Sequence, residues 1–276
     1  MTHPEATLRI DDSGGSGRPV VLIHGWPLSS DSWSEQVDAL TGEGFRVITY
    51  DRRGFGDSPS AGADPGESTG YDYDTLADDL HEVITALKLR DVTLVGFSMG
   101  GGEVARYASR HGLDRIRSVV FAAAVPPYLM KTADNPEGPL DEESFQAMRQ
   151  KLEEDRDGFL EDFITGFYSV GGFLLATPEQ RREALELAHL SDEQAALACM
   201  DSWGRTDFRQ DLAAVTVPAL VIHGEGDATV PLEGSGQRTF AALADADMSV
   251  ITGAPHGLNV THRDAFNAAL LKFLHR

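Results

Sequence analysis

A serine between two glycines is the sharpest chemical signal in this sequence of 276 residues. In GFSMG, Gly96 and Gly100 stand two positions before and two positions after Ser98. The motif follows an apolar run predicted as a strand and opens a helix predicted over residues 99–111. That setting is the one a nucleophilic serine on a tight strand–helix turn requires, because the small residues let strand and helix pass without collision. The alternative is a tight turn with an incidental serine.

Two glycine motifs that bind phosphate groups fit this segment poorly. A dinucleotide fingerprint needs a glycine where Ser98 stands, and a P-loop needs a lysine that is absent here. The segment therefore favours covalent catalysis over nucleotide binding.

A nucleophilic serine needs a base, and the base needs a carboxylate that orients it. On this type of fold the chain order is serine, acid, histidine. Asp227 follows the predicted strand PALVIHG, and His256 lies in TGAPHGLNV after the last predicted strand. Both positions lie at carboxyl ends of parallel strands, the sheet edge that also carries Ser98, where open α/β sheets assemble their sites. We therefore expect Ser98, Asp227 and His256 to form a catalytic triad.

Other candidates for these roles are present. His24 and His223 also end strands, but each precedes a glycine that turns the chain, so we expect them to make structural hydrogen bonds. Glu225 is an alternative acid; Asp227 is preferred because the turn into TVP follows it. Cys199, the single cysteine, is expected to be a small core residue rather than a nucleophile.

Acyl transfer from an ester passes through a tetrahedral anion, which fixed backbone N–H groups stabilise. One donor is expected to be the amide of Met99, directly after the nucleophile, and the other the amide of Trp26, after the strand VVLI. Pro27 fixes its own φ and has no N–H, so it should hold this turn rigid. The Trp26 carbonyl would then face the pocket and accept a hydrogen bond from a protic nucleophile such as hydrogen peroxide. The alternative is a rigid turn without effect on the choice of nucleophile.

Short apolar runs alternate with helical patterns, which predicts an α/β fold with a mostly parallel central sheet and flanking helices. Residues 74–88 have helical spacing, with Asp74 as a candidate N-cap, and residues 57–73 are predicted as a surface loop. Residues 127–213 show helical patterns without a convincing strand, which predicts a helical cap inserted into a core domain of residues 1–126 and 214–276. The predicted strands span residues 19–25, 45–51, 91–97, 116–124, 218–224 and 246–252.

Composition restricts the partners. Acidic side chains outnumber basic ones by 44 to 23, a formal charge of −21 that disfavours nucleic acid and anionic membrane surfaces. With one cysteine, neither an intrachain disulfide nor a cysteine metal cluster is expected. The N-terminus lacks the pattern of a signal peptide, and no run of about 18 apolar residues is present, so we expect a cytoplasmic protein.

Seven segments of the chain carry a family resemblance. They are HGWPL, YDRRGFGDS, YDYDTLADDL, VTLVGFSMGGGEVARY, TDFRQDL, LVIHGEGD and APHGLNVTH. Together they resemble the cofactor-free bacterial haloperoxidases and their relatives, the aryl esterases and perhydrolases of the α/β-hydrolase fold. The resemblance runs from about residue 18 to the C-terminus. Residues 2–17 depart from the family pattern, because relatives usually have a longer pair of strands at this point. The first strands of the sheet are therefore left unassigned from the sequence.

The resemblance implies a serine esterase without haem, metal or vanadate, with Ser98, Asp227 and His256 as the triad. Hydrogen peroxide attacks the acyl-serine of a short carboxylic acid or ester and releases a peracid, which oxidises halide in solution. In this family a proline after the oxyanion tryptophan accompanies perhydrolysis, which favours a functional role for Pro27. A homo-oligomer is common among members. Candidate acyl-pocket residues are Pro27, Val125, Phe163, Phe167, Trp203 and Val230, although the cap residues among them could simply hold the cap to the core.

Two alternatives to the esterase remain at this stage. The same triad could hydrolyse a lactone or a C–C bond, which a substrate panel would distinguish. The fold could also serve as a small-molecule receptor with slow turnover or none.

Overall fold

A computed structural model describes residues 8–60 and 70–276. Within these ranges the central sheet has seven strands, in the order β1-β3-β2-β4-β5-β8-β9. The first strand pairs antiparallel with β3, and all the other pairs are parallel. The strands are β1 (Ile10–Asp12), β2 (Pro19–Ile23), β3 (Arg46–Tyr50), β4 (Val92–Phe97), β5 (Ile116–Ala122), β8 (Ala219–Gly224) and β9 (Ala246–Ile251).

The central strands are buried along their whole length, as the continuous apolar runs in the sequence predict. Each of the six predicted strands is present within its predicted range, which confirms the α/β architecture. The short N-terminal strand β1 fills the edge that the sequence left open. Because the parallel strands all end on one side, the loops that follow β2, β4, β8 and β9 meet at one edge.

Helices cover both faces of the sheet. They are α1 (Ser34–Gly42), α2 (Tyr73–Ala86), α3 (Met99–His111), α4 (Glu142–Glu154), α5 (Arg156–Phe167), α6 (Pro178–His189), α7 (Glu193–Arg205), α8 (Arg209–Ala213), α9 (Gly236–Ala242), α10 (Leu258–Thr261) and α11 (Arg263–Leu274). The helix predicted at residues 99–111 is α3. The predicted N-cap of α2 is wrong: Asp72, not Asp74, caps it, because the Asp72 side chain accepts a hydrogen bond from the Thr75 amide. Most of the predicted loop at residues 57–73 lies outside the described residues.

Residues 127–213 contain α4 to α8 and also a short hairpin, so the expectation of no strand there is wrong. The hairpin pairs β6 (Ser169–Val170) with β7 (Phe173–Leu174) through Gly171 and Gly172, both at positive φ. Strands of two residues are too short to show an alternating pattern in the sequence. The division into a core and a cap stays a prediction. No helix of the described residues has both the length and the apolar character needed to cross a membrane.

Candidate active site

Ser98 occupies the junction between β4 and α3. The strand ends at Phe97, the helix begins at Met99, and Ser98 between them has φ 53° and ψ −117°. A positive φ is uncommon for a residue with a side chain, so the surrounding structure must hold it. This turn pushes the Ser98 hydroxyl out of the sheet edge into the cleft above it.

The two flanking glycines are required by close backbone contacts. A Cβ atom on Gly96 would lie 2.4 Å from the carbonyl oxygen of Gly100. A Cβ atom on Gly100 would lie 2.5 Å from the carbonyl oxygen of Ile23, at the end of β2. The glycine spacing seen in the sequence therefore reflects the approach of α3 to both β4 and β2.

Three side chains from distant parts of the chain form one hydrogen-bonded series. His256 Nε2 lies 3.0 Å from Ser98 Oγ, and His256 Nδ1 lies 2.7 Å from Asp227 Oδ2. All three residues are buried, with at most 6% of their surface exposed. With Nδ1–H donating to the carboxylate, Nε2 is left as an acceptor for the serine proton. This tautomer can act as a general base towards Ser98.

Asp227 is held as a carboxylate. Its Oδ1 accepts hydrogen bonds from the amides of Thr229 and Val230 at 2.9 and 2.8 Å. Its Oδ2 faces both His256 and, at 3.3 Å, Nε2 of His223. Burial alone would raise the pKa of Asp227, but the adjacent imidazoles outweigh burial and hold this pKa at about 2. The negative charge that orients His256 is therefore present throughout the neutral range.

The competing residues have other partners. Glu225 is exposed and accepts a hydrogen bond from the Gly253 amide at 3.0 Å, away from the imidazole. His24 is fully buried and lies between two backbone groups: its Nδ1 is 2.9 Å from the Gly25 oxygen, and its Nε2 accepts from the Arg52 amide at 2.9 Å. The contacts of His24 agree with the structural role expected for it, and His223 likewise lies against a backbone group, with Nε2 2.8 Å from the Val230 oxygen.

The two backbone amides predicted to bind the oxyanion belong to Met99 and Trp26. Met99 is the first residue of α3, and Trp26 follows the end of β2; neither amide donates a hydrogen bond to another group of the described chain. The Trp26 indole donates to the Ala196 carbonyl of α7 at 3.0 Å, which fixes the ring against the helical segment. The Trp26–Pro27 peptide bond is cis.

A cavity of about 280 Å³ opens at Ser98. Its lining is mainly apolar, with Asp162 as its charged member among the described residues. The residues that line it are Trp26, Ser98, Val125, Leu129, Pro139, Leu140, Met148, Asp162, Phe163, Gly166, Trp203, Ala228, Thr229, Val230 and Pro231. On one side the Trp26 ring stands 5.0 Å from Phe163 and 5.8 Å from Trp203 between ring centres.

Comparison with known proteins identifies the family of the chain. A family model for the α/β hydrolase fold matches residues 18–262. The chain belongs to the α/β hydrolases. It is 44% identical to a putative non-heme chloroperoxidase of Synechocystis, over 94% of this chain and 92% of that protein. It is 35% identical to a bifunctional esterase/perhydrolase of Acinetobacter calcoaceticus, over 95% of this chain and 94% of that protein.

A solved structure supports the same placement of this α/β hydrolase. The bromoperoxidase of Bacillus anthracis superposes with a TM-score of 0.92 at 49% identity, covering 99% of this chain and 97% of that one. The resemblance to the cofactor-free haloperoxidases is thereby confirmed, as is the fold class.

Four of the hydrolase's predicted pocket residues line the cavity: Val125, Phe163, Trp203 and Val230. Two do not. Phe167 is absent from the lining, and its buried ring stands edge-on to the His256 imidazole with ring centres 4.7 Å apart. Pro27 is buried after Trp26 and is also absent from the lining.

Sequence reasoning missed much of the aliphatic wall of this hydrolase. Leu129 and Leu140 precede α4 and Met148 lies in the middle of it, and nothing in their spacing distinguishes a pocket face from a packing face. Ala228, Thr229 and Pro231 could have been found, because they flank the predicted Val230 and follow Asp227 in the sequence. Among the described residues, no three histidine, cysteine, aspartate or glutamate side chains are arranged to hold a metal ion.

Proposed function

We propose that this α/β hydrolase is a serine esterase that forms an acyl-enzyme on Ser98 and transfers the acyl group to water or to hydrogen peroxide. The observation that carries the proposal is the hydrogen-bonded series from Ser98 through His256 to Asp227, which opens onto an apolar cavity. The names of its relatives, among them a chloroperoxidase, a bromoperoxidase and a bifunctional esterase/perhydrolase, support the same activity.

In the first half-reaction Ser98 attacks the ester carbonyl. His256 Nε2 accepts the hydroxyl proton while Oγ forms a bond to the carbonyl carbon, and the carbonyl electron pair moves to oxygen. The amides of Trp26 and Met99 stabilise that oxyanion, at the start of a helix whose dipole favours negative charge. The carbon–oxygen bond to the alcohol then breaks, and the alcohol leaves with the proton from His256.

In the second half-reaction the acyl-serine is cleaved by a second nucleophile. His256 takes a proton from water or from hydrogen peroxide, whose oxygen attacks the acyl carbon. Collapse of the tetrahedral intermediate releases a carboxylic acid in the first case and a peracid in the second, and the proton returns to Ser98. The peracid then oxidises halide in solution, so halogenation needs no metal or haem in the protein.

Pro27 is proposed to favour peroxide as the nucleophile. Its fixed φ would hold the Trp26 carbonyl as an acceptor for the second proton of hydrogen peroxide. Because Pro27 does not line the cavity, its effect would act through Trp26, which does.

The cavity suits a short or aryl acyl group. Its volume of about 280 Å³ is at the lower end for ligand pockets. Trp26, Phe163 and Trp203 offer aromatic faces, and aliphatic side chains form the remaining wall. We keep as predictions the helical cap at residues 127–213, a homo-oligomer and a cytoplasmic location.

The direct test uses p-nitrophenyl acetate with and without hydrogen peroxide, with acetate and peracetate measured separately. We expect both products from the wild-type protein and neither from the Ser98→Ala variant. Loss of only one product in this variant would contradict a shared acyl-enzyme. A protein that turns over lactones but no ester, or that binds esters tightly without turnover, would overturn the proposal.

A further inference from the structure

A buried polar cluster contacts the two segments that carry the proposed oxyanion amides. Arg52, which follows β3, and Glu103, on α3, have side chains only 1% and 0% exposed. Arg52 Nε donates to Glu103 Oε1 at 2.7 Å, and Arg52 Nη2 donates to the same oxygen. The Tyr50 hydroxyl donates to Glu103 Oε2 at 2.7 Å. Every carboxylate oxygen of Glu103 therefore has a partner.

The same arginine also reaches the strand-end turn that carries Trp26. Arg52 Nη2 donates to the carbonyl oxygen of His24 at 2.7 Å, and the Arg52 amide donates to the His24 ring. Arg52 thus holds both the backbone and the side chain of the residue two positions before Trp26.

Glu103, the partner of Arg52, lies on α3, which begins with the second proposed oxyanion amide. The turn after β2 that carries Trp26 and the start of α3 that carries Met99 are the two oxyanion arms. Glu103 is four residues after Met99 on α3, so one helical turn separates the carboxylate from the second proposed oxyanion amide. The Arg52–Glu103 pair therefore joins the two elements that present the Trp26 and Met99 amides. The same elements also meet through backbone contacts, because Ile23 pairs with Gly96 in the sheet and Gly100 lies against the Ile23 carbonyl, but these contacts use no charged side chain.

Stability alone does not explain such a pair. Burying two charges costs desolvation energy that their attraction often fails to exceed, and an apolar replacement of similar volume is often as stable. Oxyanion stabilisation, by contrast, depends on donors held close to the position of the developing charge, where small displacements cost much of the rate. The cluster is therefore better explained by a need to fix the positions of the oxyanion donors than by a contribution to the stability of the fold.

We propose that Arg52 and Glu103 are positioning residues that set the spacing between the Trp26 and Met99 amides. The proposal rests on the proposed function, because it assigns the pair to the oxyanion site of that reaction. Neither side chain touches the reacting atoms; both act through the backbone of the two arms.

The test is Arg52→Lys, with Arg53→Lys as its matched control. Lysine keeps the charge opposite Glu103 but lacks the planar fork that serves Glu103 and the His24 carbonyl together. Arg53 is also buried in a two-bonded pair, with Asp79 at 2.7 and 2.5 Å, but that pair joins its loop to α2. Each variant thus weakens one buried arginine–carboxylate pair, but only the Arg52–Glu103 pair joins the two oxyanion arms.

The first readout is kcat per titrated active site with p-nitrophenyl acetate. The second is inhibition by 1,1,1-trifluoro-3-phenylpropan-2-one, whose carbonyl carbon Ser98 attacks to form a hemiketal with its oxyanion in the site. Phenylacetone, which has the same shape but a less electrophilic carbonyl, reports ground-state binding.

For Arg52→Lys we expect kcat to fall about 10- to 100-fold and the trifluoromethyl ketone to bind weaker by a similar factor. KM and phenylacetone binding should stay within about twofold of wild type, because they do not use the oxyanion amides. Arg53→Lys should leave all four quantities near wild type. Unchanged kcat and inhibition in a folded Arg52→Lys protein, or equal losses in both variants, would overturn the proposal.

A second variant tests the proposal if the Arg52→Lys protein does not fold. The triple change Tyr50→Phe, Arg52→Met and Glu103→Met replaces the cluster by apolar groups and removes both charges of the pair together, so that neither is left buried without its partner. We expect it to fold with the same loss of kcat and of trifluoromethyl ketone affinity; a folded triple variant with wild-type values would overturn the proposal. An inactive wild-type protein would instead overturn the proposed function itself.

Discussion

The Phe167 ring stands edge-on to the imidazole of His256, with ring centres 4.7 Å apart and planes at 87°. The Phe167 carbonyl also accepts a hydrogen bond from the Gly257 amide at 2.9 Å, next to the histidine in the chain. The C-terminal end of α5 therefore packs directly on the loop that carries the proposed base. Phe167, predicted to line the substrate pocket, instead contacts the proposed catalytic histidine.

Replacing Phe167 by leucine should lower kcat about threefold to tenfold with little change in KM. The substitution keeps an apolar side chain but removes an edge-to-face contact, of the kind worth about 0.5–1.5 kcal/mol, that restrains the imidazole. Steady-state kinetics with p-nitrophenyl acetate and p-nitrophenyl benzoate would measure both parameters.

Phe163→Leu is the matched control, because Phe163 lies one turn earlier on α5 and lines the cavity. It should change KM for the benzoate ester more than kcat for either ester. If Phe167→Leu changed KM for the benzoate in the same way, Phe167 would belong to the pocket after all.

Replacing Gly96 by alanine should destabilise the protein by about 3 kcal/mol or more. The new methyl group would lie 2.4 Å from the Gly100 carbonyl oxygen, and its three nearest atoms all belong to the backbone of α3, which cannot move aside as a flexible side chain can. Urea unfolding would measure the loss, and the remaining folded protein should have reduced activity because the Ser98 turn is displaced.

Gly42→Ala provides the contrast for that experiment. Gly42 is the last residue of α1, and no atom lies within 4 Å of an added Cβ. Since alanine is the better helix former, this variant should be unchanged or more stable by up to about 1 kcal/mol. Equal destabilisation of the two variants would contradict the steric explanation.

The sequence predicted the parts of the fold that depend on local pattern. Continuous apolar runs located the six parallel strands, and the glycine spacing around Ser98 located α3. Local pattern could not place contacts between distant segments. Helical spacing predicts that Phe163 and Phe167 belong to one buried stretch. It does not predict that Phe163 lines the cavity while Phe167 contacts His256, because that difference depends on the distant loop at Gly257, which packs against Phe167 and Tyr168. The cap of α2 was misassigned because Asp72 and Asp74 are equally suitable caps by residue type.

Protonation of His24 should make the protein lose stability as the pH falls below about 6.5. Burial and the charge of Arg52 lower the pKa of His24 to about 3, while in the unfolded chain it is about 6.5. The unfolded state therefore binds one more proton between these values, so this contribution is complete above pH 6.5 and declines towards pH 3. In the folded state the protonated Nε2 would face the Arg52 amide, which is itself a donor.

His24→Asn should remove this dependence while lowering stability overall. Between pH 6.5 and 5 the wild-type protein should lose about 1.6 kcal/mol more than the variant, because the slope rises from half of its limiting value of about 1.4 kcal/mol per pH unit at pH 6.5 to nearly all of it at pH 5. Urea unfolding at the two pH values gives the difference, in which the carboxylates that do not interact with residue 24 cancel; Asp51, which does interact with His24, has a pKa below its usual value in the folded protein. Parallel pH dependences would show that His24 does not contribute.

Replacing Asp227 by asparagine should lower kcat about 10³- to 10⁴-fold. The asparagine amide would donate a hydrogen bond to His256 Nδ1, so the imidazole would carry its proton on Nε2. In that tautomer Nε2 cannot accept the proton of Ser98. Glu225→Gln is the control, since Glu225 contacts the Gly253 amide and not the imidazole; its kcat should stay within about twofold of wild type. Because the pKa of Asp227 is held at about 2, the wild-type rate should show no contribution from its protonation above about pH 3. Kinetics of both variants across pH would test these points together, and a large loss in Glu225→Gln with a small one in Asp227→Asn would assign the acid to Glu225.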